Sequence, residues 1–138
     1  MTQEEVIRLK ETCEVGFTTY AGIHFTCIEE GHTEGEIVIE EHHLNQYDTI
    51  HGGLLSVLTD TIGGLATMTK NGFIPATASS SISYLKPTLG VKKLVAKAEV
   101  IKFGPTLSVV RTDVFDENGV LLVTSLSNYS NIADKVNL

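Results

Sequence analysis

A long segment between Gly53 and Lys70 has the hydrophobic pattern of a helix. Its apolar side chains recur three or four positions apart, and no proline interrupts them. The positions that carry this spacing are Leu54, Val57, Leu58, Thr61, Leu65 and Met68. Lys-Asn-Gly at the end supplies a stop signal, with Gly72 just beyond the last helical turn. The pattern therefore predicts one long helix.

The residues before this helix predict three shorter elements. Residues 2–15 (TQEEVIRLKETCEV) read as an amphipathic helix, because Thr2 followed by Glu5 matches a capping box. The runs GIHFTCIEE and TEGEIVIEE are strand-like and are separated by a Gly-His turn, which predicts a hairpin. The next stretch, HHLNQYDTI, is polar and irregular and is therefore expected to be a loop.

Four more strand-like runs follow the long helix. They are ATASSSISYL, KKLVAKAEVIKF, TLSVVRTDVFD and GVLLVTSLSNYSNI, and the Asn118-Gly119 pair before the last is a strong hairpin signal. These elements predict one α+β domain over residues 1–138, with an antiparallel sheet of five or six strands packed on the long helix. A helix that is apolar over most of its circumference cannot face water on its far side, so we expect at least a homodimer.

Composition supports an ordinary globular protein. The chain has 138 residues, of which 42% are hydrophobic and 20% charged. Its start, MTQEEVIRLK, is acidic and unlike a signal or transit peptide, and no apolar run approaches the roughly 18 residues that span a bilayer. Cys13 and Cys27 form no metal or redox spacing and fit free thiols in a reducing compartment. We therefore expect a cytoplasmic protein.

Charge is unevenly distributed along the chain. The net charge of −7 argues against a nucleic-acid partner. Residues 1–48 hold eleven acids against Arg8 and Lys10, whereas residues 86–111 hold only Glu99 against six cations. Those cations are Lys86, Lys92, Lys93, Lys97, Lys102 and Arg111. Either they form a local patch for an anionic small molecule, or they simply solvate exposed strand faces.

The sequence His51-Gly52-Gly53 stands where the long helix should begin. A helix N-terminus has unpaired N–H groups and the positive end of the helix dipole, and glycine lets a ligand approach the backbone closely. Such donors can stabilise the oxyanion of an acyl transfer. The alternative is that the two glycines only make a tight entry into the helix, and the sequence leaves both interpretations open.

A single carboxylate, Asp60, lies within the predicted helix. Helical spacing places it in a narrow stripe of small and polar residues, where the following glycines are expected to leave open space. The stripe consists of Ser56, Asp60, Gly63, Gly64 and Thr67. In a partly dry groove, Asp60 can act as general base or nucleophile. The alternative is a solvent-facing aspartate, although no other charged residue shares the stripe before Lys70.

Further polar candidates flank the helix. Asn45 either caps a turn or presents its amide to a carbonyl. Period two places Thr77, Ser79, Ser81 and Ser83 on one strand face, where they bond locally or hold a water for Asp60. His42, His43, Asp48 and His51 match no common ligand spacing, so we expect no metal site and no separate cofactor. The chain also has no GxSxG, P-loop or dinucleotide motif.

Taken together, Asn45, His51-Gly52-Gly53, Asp60 and the segments SYLKPTLG and AKAEVIKFG resemble the hotdog-fold thioesterases of the PaaI-like group. The resemblance covers residues 22–132 and leaves 1–21 as an N-terminal helix and lead-in. It implies a curved antiparallel sheet wrapped around the long helix. It also implies two subunits joined edge to edge, often paired again into tetramers, that hydrolyse an acyl-coenzyme A thioester at their interface.

The resemblance implies roles for individual residues. Asn45 and the Gly52 N–H would hold the thioester carbonyl, and Asp60 of the other subunit would be nucleophile or general base. Thr77 would position the hydrolytic water, and His51 would support the loop. The remaining substrate-binding candidates are Gly53, Ser79, Lys86, Lys102 and Gly104.

Two positions depart from the family pattern. Asp48 stands where a glycine is usual, and Pro105-Thr106 follow Gly104 where a basic residue is common. Two alternatives share the same fold: a non-catalytic acyl-coenzyme A binding domain, and a dehydratase or hydratase pairing His51 with Asp60. Nothing in the sequence favours an aromatic over an aliphatic acyl group.

Overall fold

The computed structural model describes residues 1–135, except for the side chains at positions 71, 73 and 132–135. Its helices are α1 (Gln3–Cys13), α2 (Gly16–Ala21) and α3 (Gly52–Asn71), with a 3₁₀ turn at Glu41–His43. Its strands are β1 (His24–Glu29), β2 (His32–Val38), β3 (Phe73–Tyr84), β4 (Lys93–Phe103), β5 (Leu107–Phe115) and β6 (Leu121–Lys135). All six predicted strands are present. The sequence did not predict α2, because six residues are too few to show a helical period.

The strands form one antiparallel sheet that surrounds α3. Their order is β1-β2-β4-β5-β6-β3, so β1 and β3 are the two edges. The helix contacts all six strands, which requires the sheet to curve around it. The prediction of an α+β fold with a sheet wrapped around one long helix is confirmed. None of the helices in the described part of the chain is long and apolar enough to cross a membrane.

The long helix has the ends that the sequence predicts. His51 is its N-cap, and Gly72 follows its last turn with φ 75° while donating its N–H to the Met68 carbonyl at 2.8 Å. Its buried apolar side chains are Leu55, Leu58, Ile62, Leu65, Ala66 and Met68. Burying each large side chain is worth about 1.5–3 kcal/mol, so this helix contributes much of the core. Leu54 and Val57, placed on the same face by the pattern, are only partly buried.

Local turn and cap predictions are confirmed. At the start of α1, Thr2 Oγ1 accepts from the Glu5 N–H at 3.2 Å and the Glu5 carboxylate accepts from the Thr2 N–H at 2.7 Å. The hairpin turns use glycines with positive φ, Gly31 between β1 and β2 and Gly119 between β5 and β6. These features form because each depends on residues only a few positions apart.

Strand β3 contains an irregularity that overturns one prediction. Its pairing with β6 shifts between Thr77 and Ser79, as in a β-bulge. Thr77 therefore pairs with Tyr129, whose side chain is buried against α3. Ser79 lies on the opposite face, where its hydroxyl accepts from Asn128 Nδ2 at 2.7 Å. The prediction that Thr77 and Ser79 share one strand face is wrong, since the extra residue changes the alternation.

Candidate active site

The side chain of Asp60 is held by a strand residue that the sequence singled out. Asp60 lies in the middle of α3, and Thr77 Oγ1 of β3 donates to its Oδ1 at 2.6 Å. Both side chains are exposed. A short hydrogen bond to a charged acceptor is stronger than a neutral one. It engages one carboxylate oxygen and sets the orientation of the carboxylate.

Beneath Asp60, Tyr129 of β6 supports the helix backbone. Its hydroxyl donates to the Asp60 carbonyl at 3.1 Å, and its side chain is buried. Burial, followed by the nearby Asp60 carboxylate, raises the pKa of the Tyr129 phenol far above its usual range. The group therefore stays protonated and remains a donor. Sequence reasoning missed Tyr129, because a tyrosine in a strand has no local pattern that points to a helix 69 residues away.

The glycines after Asp60 accommodate this tyrosine. A Cβ added at Gly63 would lie 2.7 Å from the Tyr129 hydroxyl, whereas one at Gly64 would lie 3.6 Å from the ring. The expectation of open space is therefore wrong at Gly63, which Tyr129 fills. It holds at Gly64, which lines a cavity.

Two cavities flank Asp60. The first, called here the Gly64 cavity, has a volume of about 290 Å³ and continues along α3 past Gly64 to Met68. The second, the Ser56 cavity, has about 250 Å³ and lies between Asp60 and the helix start, with Ser56 and Ser80 in its wall. Ser80 was missed from the sequence, since only the bulge turns it toward α3. Asp60 and Thr77 line both cavities.

At the start of α3, one of the two glycine N–H groups is already bonded. The Gly53 N–H donates to Nδ1 of His51 at 2.8 Å, so His51 caps the helix. The Gly52 N–H has no acceptor in the described part of the chain. Tyr84 lies beside Gly52 and donates its hydroxyl to the Gly52 carbonyl at 3.2 Å. The available backbone donor at this corner is therefore Gly52, not Gly53.

A third cavity adjoins this corner. This Phe17 cavity has a volume of about 300 Å³ and is lined by aromatic rings of α2 and of the 3₁₀ turn, together with His51 and Gly53. Phe17 and Tyr20 stack with ring centres 6.4 Å apart. Both rings are largely exposed.

The loop before α3 is organised by Asn45. Its Oδ1 accepts from the N–H groups of Tyr47 at 2.9 Å and Thr49 at 3.3 Å, and its Nδ2 donates to Thr49 Oγ1 at 2.8 Å. The turn-capping interpretation of Asn45 is thus realised, and one of its two amide hydrogens is left for a ligand. Asp48 in this loop has φ 60°, a conformation that glycine adopts more readily. The backbone at Asp48 is therefore one that would suit the glycine expected here from the family resemblance.

Three further substrate-binding candidates, Lys86, Lys102 and Gly104, line neither of the cavities beside Asp60. Lys86 and Lys102 are exposed, the first between β3 and β4 and the second on β4 after a register shift. Gly104 is buried in the β4–β5 turn, where a Cβ would collide with the Leu107 carbonyl. Gly104 is therefore required by hairpin packing, whatever it contributes to substrate binding.

Antiparallel pairing brings the acidic and basic segments of the sequence next to each other. Acidic β2 lies beside basic β4, so that Glu34 pairs with Lys97 and Glu36 lies 3.5 Å from the Lys93 ammonium. On the other side of β4, Glu99 pairs with Arg111. Lys93, Lys97 and Arg111 thus each lie beside an acid, whereas Lys102 pairs with Val109, which weakens the expectation of a cationic surface on these strands.

The histidines near the 3₁₀ turn have structural partners. His43 Nε2 bonds to the Ala21 carbonyl at 2.8 Å, and its Nδ1 accepts from the Glu40 N–H at 2.9 Å. Among the residues that the structure describes, no three potential metal ligands cluster together. Cys13 and Cys27 are free thiols.

The candidate site has two halves, one at the helix start around Gly52 and one around Asp60, and they lie far apart within one chain. Gly52 and Asp60 lie eight residues apart on one helix, a distance of about 12 Å along its axis. Reacting groups need to approach within about 3–3.5 Å. Gly52 and Asp60 of the same chain therefore cannot both contact one carbonyl group directly.

Comparison with known sequences identifies relatives. Residues 47–123 match the thioesterase superfamily. Mouse acyl-coenzyme A thioesterase 13 is 34% identical over 80 residues, which are 57% of this chain and 57% of the mouse protein. A putative esterase of Thermoplasma acidophilum is 25% identical over 115 residues, covering 83% of this chain and 86% of its own. The match thus spans little more than half of the mouse protein but most of the archaeal one.

Comparison with solved structures supports the same fold. The Escherichia coli PaaI protein has a TM-score of 0.84 at 19% identity, covering 97% of this chain and 94% of its own. A Streptococcus mutans protein with bound acetyl-coenzyme A has a TM-score of 0.76 at 27% identity, covering 83% of this chain and 91% of its own. The likeness to PaaI confirms the hotdog fold that the sequence resemblance predicted.

Proposed function

Because this chain belongs to the thioesterase superfamily, we propose that it hydrolyses an acyl-coenzyme A thioester to a free acid and coenzyme A. The observation that carries the proposal is the Asp60 carboxylate, bonded to Thr77 at 2.6 Å and lying between two cavities. A helix surface meant only to face water would not need this strand partner. Coenzyme A enters as part of the substrate, and no separate cofactor takes part.

The active site of this proposal is shared between two subunits. Asp60 and Thr77 of one chain face Gly52 and Asn45 of the second, since about 12 Å along the helix separates Gly52 from Asp60 within one chain. Strand β3, which carries Thr77, is an edge strand and has free backbone groups for a partner. A homodimer that pairs these edges is the minimum unit, and a tetramer is expected from the family resemblance.

In the proposed reaction, Asp60 serves as general base or nucleophile. As a base, it takes a proton from water while the water oxygen bonds to the thioester carbon. The Gly52 N–H of the second subunit, at the positive end of α3, stabilises the negative charge that develops on the carbonyl oxygen. The carbon–sulfur bond then breaks, and the coenzyme A thiolate leaves and takes up the proton from Asp60, which regenerates the carboxylate. Thr77 keeps the carboxylate oriented, and His51 maintains the helix cap.

The decisive experiment measures thiol release from short, long and aromatic acyl-coenzyme A esters by wild type and Asp60→Asn. We expect turnover by wild type and a loss of about 10²–10⁴-fold in the variant, the usual contribution of a general base. Unchanged circular dichroism and elution volume would show that the variant folds and assembles. Retained turnover in Asp60→Asn would refute the mechanism. Tight binding without turnover in both proteins would indicate a non-catalytic acyl-coenzyme A binding domain instead.

A further inference from the structure

The two peptide groups on either side of Gly52 carry four polar groups, and three of them are already hydrogen-bonded. The His51 carbonyl accepts from the Leu54 N–H at 3.0 Å, and the Gly53 N–H donates to Nδ1 of His51 at 2.8 Å. The Gly52 carbonyl accepts from the Tyr84 hydroxyl at 3.2 Å. Only the Gly52 N–H has no acceptor in the part of the chain that the structure describes. Both peptide planes are therefore held, and one donor is left for a ligand.

These restraints matter because Gly52 and Gly53 are adjacent glycines. Glycine has the widest range of backbone conformations, so two in succession would leave the direction of the Gly52 N–H poorly defined. A donor stabilises an oxyanion best when it is already aimed at the position that the oxygen will occupy. Of the three bonds around Gly52, two come from the helix start itself, and the third comes from Tyr84, 32 residues away.

Tyr84 is held in place by the sheet and lies against the helix start. It is the last residue of β3 and pairs with Val123 of β6, which fixes its backbone. A Cβ added at Gly52 would lie 3.8 Å from Cε1 of the Tyr84 ring and 4.0 Å from its hydroxyl oxygen. Because the side chain is 54% exposed, the hydrophobic core does not depend on it. The main contact of the hydroxyl is therefore with the Gly52 backbone.

Resting on the proposed function, we propose that Tyr84 is a positioning residue for the reaction. Its hydroxyl fixes the Gly52–Gly53 peptide and thereby keeps the Gly52 N–H aimed at the thioester carbonyl oxygen. Tyr84 acts through the Gly52 carbonyl and needs no contact with the substrate. Strand β3 then holds α3 at two points, at Asp60 through Thr77 and at Gly52 through Tyr84. One strand thus orients both groups that its chain contributes to catalysis.

The first test measures the restraint in the absence of substrate. Tyr84→Phe removes the hydroxyl and keeps the ring, and amide hydrogen exchange of the Gly53 N–H is followed by NMR. We expect exchange about two- to tenfold faster than in wild type, which corresponds to the net worth of one hydrogen bond between neutral groups. Tyr20→Phe is the matched control, because it removes the same atom from a tyrosine of α2 that is 77% exposed. It should leave the exchange rate unchanged.

The second test measures kcat and KM with an acyl-coenzyme A ester. The oxyanion exists only in the transition state, so Tyr84→Phe should lower kcat about two- to tenfold and leave KM unchanged. Gly52→Ala narrows the backbone freedom that Tyr84 restrains. The effect of Tyr84→Phe on kcat should therefore shrink in the Gly52→Ala background. A merely structural role would lower the melting temperature and would not depend on the residue at position 52.

Unchanged Gly53 exchange in Tyr84→Phe, whatever the effect on kcat, would overturn the positioning role. An unchanged kcat in a protein that hydrolyses the ester would also overturn it, as would an equal loss in the Gly52→Ala background. A raised KM at constant kcat would show that Tyr84 contacts the substrate instead. Faster Gly53 exchange in a protein that hydrolyses none of the esters would refute the proposed function and keep the restraint on the peptide.

Discussion

The two halves of the candidate site are built in different ways. At the start of α3, most side-chain contacts are local: Asn45 bonds to Thr49 four residues away, and His51 bonds to Gly53 two residues away. The exception at Gly52 is the hydrogen bond from Tyr84, 32 residues away. At Asp60, the contacts are distant: Thr77 is 17 residues away, and Tyr129 is 69 residues away. Most hydrogen bonds that shape the loop and the cap therefore lie within one short segment of the chain. Asp60 acquires these partners only when the sheet has folded around the helix.

Because of this difference, the two halves should be sensitive to different kinds of substitution. The helix start depends on the space around one backbone N–H, so added side-chain bulk should damage it. The Asp60 half depends on hydrogen bonds from two strands, so the loss of single hydroxyl groups should damage it.

Added side-chain bulk at the helix start should lower activity more than the loss of a hydroxyl group near Asp60. Gly52→Val places a branched side chain beside the N–H that is proposed to hold the carbonyl oxygen, and loss of one such donor costs about 10²–10³-fold in kcat. Gly52→Ala is the matched control, since its Cβ would lie 3.8 Å from the Tyr84 ring and fits. Steady-state kinetics with an acyl-coenzyme A ester should rank glycine above alanine and alanine above valine. Equal rates for all three would argue against an oxyanion site at Gly52.

Mixing two inactive variants, each with one half of the site damaged, should restore activity if the two halves of a site come from different subunits. In a heterodimer of Gly52→Val and Asp60→Asn, one shared site carries both changes and the other carries neither. Random mixing of a symmetric dimer then returns about a quarter of wild-type activity. The measurement is the rate after the two inactive proteins are refolded together, compared with each refolded alone. No recovery in verified heterodimers would place both halves within one chain and contradict the shared site.

Removing the Thr77 hydroxyl should have an intermediate effect. Without this hydrogen bond the Asp60 carboxylate loses its fixed orientation, so Thr77→Val should lower kcat by about tenfold or more. Thr77→Ser keeps the hydroxyl and should retain most of the activity. Because Thr77 is exposed and contacts Asp60, thermal stability should change little. Equal kcat values for the valine and serine variants would show that the hydroxyl has no role.

The smallest predicted effect concerns a distant contact outside the site. Partial burial alone would lower the pKa of His32, but hydrogen bonds to Glu34 and Glu99 outweigh it, and the net pKa is raised. Nε2 lies 2.9 Å from Glu34 Oε1, and Nδ1 contacts Glu99, which pairs with Arg111 of β5. A raised pKa means that protonated His32 stabilises the fold fully below about pH 6.5, and this contribution is lost as pH rises through the folded-state pKa.

His32→Gln should therefore lower the melting temperature more at pH 6 than at pH 8. The difference in unfolding free energy should stay below about 1 kcal/mol, because ion pairs near a surface contribute little. Thermal melts of wild type and variant at both pH values measure it. A variant that is destabilised equally at both pH values would show that protonation of His32 does not matter.

Much of the fold could be predicted from the sequence. The capping box at Thr2, the limits of α3, and the turns at Gly31 and Asn118-Gly119 all follow from residues a few positions apart. The six strands follow from alternation and turn residues. Helix α2 could not be predicted, because one turn and a half carries too little periodicity.

The site was predicted only in part. Asn45, His51, Gly52 and Asp60 stand out because glycines and an acid are unusual in their local context. Ser79 was placed on the wrong face, and Ser80 was missed, because the bulge in β3 depends on pairing with β6.

The sequence by itself determined the helix that carries Asp60, the ends of that helix, and the loop in front of it. Each of these depends on dihedral preferences and hydrogen bonds within a few residues. Only the tertiary structure decided that Thr77 and Tyr129 hold Asp60, that Gly63 is filled while Gly64 borders a cavity, and that acidic β2 lies beside basic β4. Those contacts join residues 17 to 69 positions apart, and such distant partners leave no periodic pattern along the chain.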